Sequence, residues 1–356
     1  MKDALEQEAH LNRNRVLTLI AIGCFLAGAL IGSAGVMLLQ NRQNASGITA
    51  FRESDISNTT HSQYTFIDPL ITIKGVNNST AYNGMKAQVT SYIASQQANG
   101  LFSASVDFRD INVPGGFTIN GSQMYTPASL DKVPLMMAYY KLSETDPSIL
   151  SQEITYPVGS TDADSIETIK STEQLIPGTT YTIEQLIEHM IRYSDNNATD
   201  LLKDYLNNTN NVSAYTTVFS DLGIDPSTVN DYTDNMTVVQ YSIFLRALYN
   251  ATYLNWNDSE HALQLLSETD FSEGIESGVP NDALVAQKFG EVKLTDNSGN
   301  LVGRELNNCG IIYYPDHPYL LCIMTKATGD NIQALETEIE SISDIVYTGM
   351  QKLYPN

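Results

Sequence analysis

Three short runs bring together residue types that could perform acyl transfer. In Ser129-Leu130-Asp131-Lys132 a hydroxyl and an amine lie three residues apart, so on a helix they share a face. The residues that follow, Val133 to Tyr140, are apolar nearly throughout, which predicts a buried helix, and Pro134 places its start close by. An amine at the wet end of such a helix loses solvation, and its pKa falls. A neutral amine beside Ser129 can take the hydroxyl proton, as an attacking serine requires. The helix start also presents free backbone N–H groups to a developing oxyanion. The plain alternative is a solvated lysine and a capping serine, and about one chance Ser-x-x-Lys is expected in a chain of this length. The second run, Ser194-Asp195-Asn196, follows a helical pattern and would also serve as an ordinary helix-ending turn. The third, Lys288-Phe289-Gly290, reads as strand. Its amine could bind a substrate carboxylate and Gly290 would admit a close backbone, or it is an exposed strand lysine beside a bend.

The order of the three runs is more specific than any one of them. Ser-x-x-Lys, then Ser-Asp-Asn, then Lys-x-Gly before a terminal helix resembles the penicillin-recognising serine hydrolases, in particular the class A β-lactamase-like domains. The segments 125–134, 193–198 and 274–288 carry the likeness. The resemblance implies Ser129 as nucleophile and Lys132 as its proton acceptor. It implies Ser194 as the relay to the leaving nitrogen, and Asn196 as the group that holds the substrate amide and orients Lys132. Asp195 braces the turn, Lys288 attracts a substrate carboxylate, and the oxyanion faces the backbone N–H groups of Ser129 and Glu291 beside Gly290. Neither a metal nor an organic cofactor is implied. Two departures stand out. Phe289 replaces the hydroxyl residue usual between the lysine and the glycine. No Glu follows Ser-Asp-Asn at the place of the deacylating base; Asp231-x-x-x-Asn235 has the spacing, and also reads as a polar turn. The expected function is an acyl-enzyme-forming hydrolase of β-lactams or D-Ala-D-Ala-type cell-wall peptides; the alternative is a catalytically degenerate cell-wall-binding domain. A Ser-His-Asp hydrolase has little support, because no Gly-x-Ser-x-Gly elbow is present, and His189 reads as an ordinary helix residue.

The elements that would position these runs are legible. Helices are expected at 81–98, 129–142, from the capping box Thr182-x-x-Gln185 to about 193, and at 198–205, 238–249 and 332–353. Strands are expected at 103–109, 117–119, 283–292, 309–314 and 319–325, with Asp316-His317-Pro318 turning the last pair. Strands at both ends around a helical middle predict an α+β fold, in which an antiparallel sheet built from both chain ends is flanked by helices and carries an inserted all-helical lobe.

The remainder of the chain concerns location and partners. Val16 to Leu39 holds no charged residue, long enough to span a bilayer and longer than the apolar region of a signal peptide. Arg13 and Arg15 before it favour the N-terminus inside. The expected layout is a cytoplasmic tail over 1–15, an anchor over 16–39, a polar tether over 40–65 and a catalytic domain over 66–356 facing outside the cell membrane. A formal net charge of -22 argues against a nucleic-acid partner. With three cysteines the chain is no disulfide scaffold; Cys309 and Cys322 are expected as small buried hydrophobes, a bond between them being the lesser alternative.

Overall fold

The late strands read as near-continuous apolar runs because both of their faces are buried. Along one strand Leu320, Cys322 and Met324 pack to one side of the sheet, and Tyr319, Leu321 and Ile323 to the other. The computed structural model describes residues 49–52, 64–74, 80–97, 101–112, 115–226 and 235–355. Its strands are β1 (Thr49–Arg52), β2 (Leu70–Lys74), β3 (Leu101–Asp110), β4 (Gly115–Ile119), β5 (Glu153–Thr155), β6 (Thr180–Thr182), β7 (Val285–Thr295), β8 (Leu301–Ile312) and β9 (Tyr319–Thr328). Its helices are α1 (Asn83–Gln97), α2 (Lys132–Ser143), α3 (Ile183–Arg192), α4 (Asn196–Asn207), α5 (Ala214–Asp221), α6 (Val238–Tyr249), α7 (Trp256–Ser267) and α8 (Ile332–Leu353).

The main sheet has the order β4-β3-β9-β8-β7 and is antiparallel throughout, so strands from both ends of the chain close one layer. Helices α1 and α8 cover one face. Helix α8 buries Leu335, Ile339, Ile342, Val346 and Met350 at the spacing of a single helical stripe. The helical middle covers the other face around Leu135, Met137, Ile187, Leu202, Phe244 and Leu263. Burying a side chain of this size contributes about 1.5–3 kcal/mol, so both cores hold the sheet firmly.

Several expectations meet the structure closely. Thr182 and Gln185 form both halves of the capping box that opens α3, at 3.2 and 2.9 Å. Others shift. The segment expected as one helix from Ser129 begins as a 3-10 turn, Ala128–Asp131, and α2 starts only at Lys132. Pro134 lies in the first turn of α2, where a missing N–H costs nothing. Thr49–Arg52, inside the segment read as a tether, is strand β1 paired with β2, and Arg52 donates to Asn250 Oδ1 at 3.0 Å. Helix α5 was not anticipated, since its Tyr, Thr, Val and Phe are poor helix formers. Cys309 and Cys322 face each other across β8 and β9 with Cα atoms 3.9 Å apart and are joined as a disulfide, which corrects the expectation of two separate buried thiols. Among the described residues no helix is long and apolar enough to cross a membrane; the expected anchor at 16–39 lies outside them.

Candidate active site

The turn that carries Ser129 is held in an unusual backbone state. Ala128 sits at φ 51°, in the left-handed region that costs a non-glycine residue about 1–3 kcal/mol. Leu130 N–H closes the turn on Pro127 O at 3.1 Å. Strand β7 lies directly against it: a Cβ on Gly290 would come within 2.6 Å of Pro127 O and 2.9 Å of Ser129 N. Only glycine permits that approach, and it places the backbone of Gly290 and Glu291 beside the nucleophile.

Lys132 follows one turn later and is 3% exposed. Burial lowers its pKa to about 8, against the opposing pull of the Asp164, Glu167 and Asp195 carboxylates. Its Nζ donates to Asn196 Oδ1 at 2.7 Å, to Ser194 Oγ at 3.2 Å and to the Ser194 carbonyl. None of its hydrogen bonds reaches the Ser129 hydroxyl, so the direct contact expected from the helical spacing is not formed. Ser129 and Lys132 nevertheless line one cleft of about 470 Å³ together with Asn196 and Glu167.

The middle run is fixed from beneath. Ser194, like Ala128, is left-handed, at φ 54°. Burial alone would raise the pKa of Asp195, yet donors from His189, Ala198 N–H and Leu175 N–H bring it below the ordinary carboxylate value. Asp195 caps α4 through Ala198 N at 2.9 Å, so it braces the turn rather than facing the cleft. His189 Nδ1 lies 3.8 Å from Asp195 Oδ2, so this histidine faces the brace. Asn196 donates its backbone N–H to Asp164 Oδ1 and its Nδ2 to Glu167 Oε1, each at 2.9 Å.

The third run departs most from expectation. Lys288 is fully buried, its Nζ 3.4 Å from Phe289 O and 4.4 Å from the Phe289 ring centroid. Burial, with Lys132 nearby, pushes its pKa well below the usual amine range. The Phe289 ring stacks on Phe271 at 4.1 Å. Lys288 therefore offers no surface to a substrate carboxylate.

Sequence reasoning missed Glu167. Burial raises its pKa, and the nearby Glu291 carboxyl raises it further. Glu167 precedes Ser194 in the chain, whereas the family resemblance places a base after it, and only the fold brings Glu167 to Asn196. Asp231, the residue with the expected spacing, lies outside the described residues.

The model of the family described as the beta-lactamase enzyme family matches residues 80–350. Among solved structures the chain is similar to PBP-A, at 18% identity and TM-score 0.63 over 78% of this chain and 100% of that one. A mutant of PBP-A, an acyl-enzyme complex with penicillin G, aligns with TM-score 0.61 at 18% identity, over 76% of this chain and 97% of that one. A beta-lactamase from Sphaerobacter thermophilus aligns at 22% identity and TM-score 0.60, over 76% and 98% of the two chains. No curated protein matches. The matched span includes all three runs and the whole main sheet, and the chain belongs to the beta-lactamase enzyme family as a serine hydrolase.

Proposed function

We propose that the protein is an exported, membrane-anchored hydrolase that forms an acyl-enzyme at Ser129 with β-lactams or D-Ala-D-Ala-type cell-wall peptides. The observation that carries this reading is Lys132: a buried amine with its pKa lowered to about 8, fixed by Ser194 and Asn196 in the cleft that Ser129 lines. Ser129 Oγ attacks the carbonyl carbon and its proton passes to the Lys132 amine. Ser194, hydrogen-bonded to that amine, hands a proton to the leaving nitrogen as the C–N bond breaks. The N–H groups of Ser129 and Glu291 receive the oxyanion, an arrangement in which one donor is typically worth about 10²–10³ in turnover. Water then releases the acyl group. The anchor rests on the uncharged run Val16 to Leu39, and membrane fractionation of the full chain against a chain lacking it tests that part. A fluorescent penicillin is expected to label the wild type and not Ser129→Ala. An unlabelled wild type would remove the acyl-enzyme reading.

The sealed Lys288 and the absent Ser129–Lys132 hydrogen bond favour a second reading, a catalytically degenerate domain that binds cell-wall fragments. That reading expects fragment binding to survive Ser129→Ala with no adduct in the wild type.

A further inference from the structure

The space between Ser129 and Ser194, which the proposed reaction makes the leaving-group side, is bounded by a clasp of two carboxyl residues, Glu291 and Glu167. Glu291 reaches from β7 to the segment before β6, where its Oε1 accepts from the backbone N–H groups of Thr168 at 2.5 Å and Ile169 at 2.8 Å. Its side chain is 4% exposed and its Oε2 lies 3.6 Å from the Arg304 guanidinium. Glu167, the residue before Thr168, accepts from Asn196 Nδ2 and lines the same space as Glu291.

Between Ser129, Ser194, Phe289 and this clasp the free space is about 10 Å³, room for one water. Among the described residues that border it, none is cationic. Lys288 is sealed beneath the Phe289 ring, and Lys132 is bound to Ser194 and Asn196. A carboxylate entering here would have to push Glu291 off two backbone donors and then lie beside its charge. A neutral group meets no such repulsion, and an ammonium gains a counter-charge.

The geometry points to Glu291, backed by Phe289, as a specificity determinant that disfavours leaving groups bearing a carboxylate and favours neutral or ammonium-bearing ones. This rests on the acyl-enzyme reading of Ser129. Penicillins and D-Ala-D-Ala peptides carry a carboxylate near the bond that breaks, so they acylate Ser129 more slowly than neutral counterparts.

The test uses the full chain and three thioesters of one N-acylglycine, whose leaving thiols are mercaptoacetate, mercaptoacetamide and cysteamine. In each, the bond from Ser129 Oγ to the acyl carbon forms, the C–S bond breaks, and the thiolate takes up the proton released by Ser129. Acylation is followed by intact mass and each rate is divided by that of hydroxide hydrolysis. The wild type is expected to favour the amide and amine donors over the carboxylate donor by about tenfold, equivalent to about 1.4 kcal/mol. Glu291→Gln, which keeps shape and removes charge, is expected to bring the three rates together. A wild type that takes the carboxylate donor as fast as the others overturns the inference, and so does a preference that Glu291→Gln leaves unaltered. Failure of all three donors to form an adduct sinks the acyl-enzyme reading itself, and the inference with it.

Discussion

The two walls of the cleft each carry a buried lysine, and burial does different things to them. On the helical wall, Lys132 is held by Ser194 and Asn196 and borders the cleft. On the strand wall, Lys288 has one long contact, 3.4 Å to the carbonyl of its neighbour, and lies under an aromatic ring. Both amines lose solvation and both have lowered pKa values. A depressed amine pKa therefore marks desolvation in each case, but it marks a proton acceptor only where the amine can meet a substrate. In the proposed reaction the helical wall carries the proton transfers and the strand wall the selectivity.

The sharpest way to break this asymmetry is to remove each amine. Lys132→Ala is expected to slow acylation of Ser129 by about 10²–10⁴, the range for loss of a positioned base. Lys288→Met replaces a buried amine by an apolar chain of similar length, and is expected to change acylation by less than about tenfold while holding or raising the melting temperature. Stopped-flow acylation and calorimetry on the two variants decide it. Equal losses would place both lysines in the reaction.

The helical wall was more legible in the sequence than the strand wall, for physical reasons. Thr182 and Gln185 announce a helix start through local hydrogen bonds, and the apolar run after Lys132 announces burial. Both signals lie within a few residues. The clasp does not: Glu167 and Glu291 meet across 124 positions, and no local pattern marks either of them. Lys288 misleads in the same way. A lysine in an alternating strand reads as exposed, but β7 packs its inner face on the nucleophile turn, and the ring of Phe289 seals the amine. The disulfide was hidden likewise, because pairing Cys309 with Cys322 depends on the β8–β9 register. The tether reading of 40–65 does not hold at β1, because the four residues Thr49–Arg52 are too few to show a strand alternation.

A second variant tests how tightly the two walls are joined. Gly290→Ala would put a methyl group 2.6 Å from Pro127 O and 2.9 Å from Ser129 N, both backbone atoms that cannot rotate away. Either β7 or the nucleophile turn must move, and overpacking of this kind costs about 1–3 kcal/mol. The expected result is a lower melting temperature together with slower acylation, since the same shift carries the Glu291 N–H away from the oxyanion. Loss of stability with acylation intact would mean that the Glu291 N–H is not part of the reaction.

The smallest effect concerns protonation of the helical wall alone. If the neutral form of Lys132 takes the proton of Ser129, acylation rises with pH up to the amine's pKa of about 8 and levels above it. Below that point each pH unit costs about tenfold, or about 1.4 kcal/mol, because the ammonium form accumulates in that proportion. The sign follows from burial: desolvation penalises the ammonium, so the basic form is available more than two units below the ordinary lysine value of 10.5. Asp164, Glu167 and Asp195 pull the other way, and neutralising one of them should move the midpoint down. Asp164→Asn is the cleanest choice, since Glu167 belongs to the clasp and Asp195 caps α4. A midpoint that falls in Asp164→Asn ties the profile to Lys132. An acylation rate that declines as pH rises through 8 would mean that the ammonium is the working form, and the proton of Ser129 would then need another acceptor, such as Glu167, which lines the same cleft.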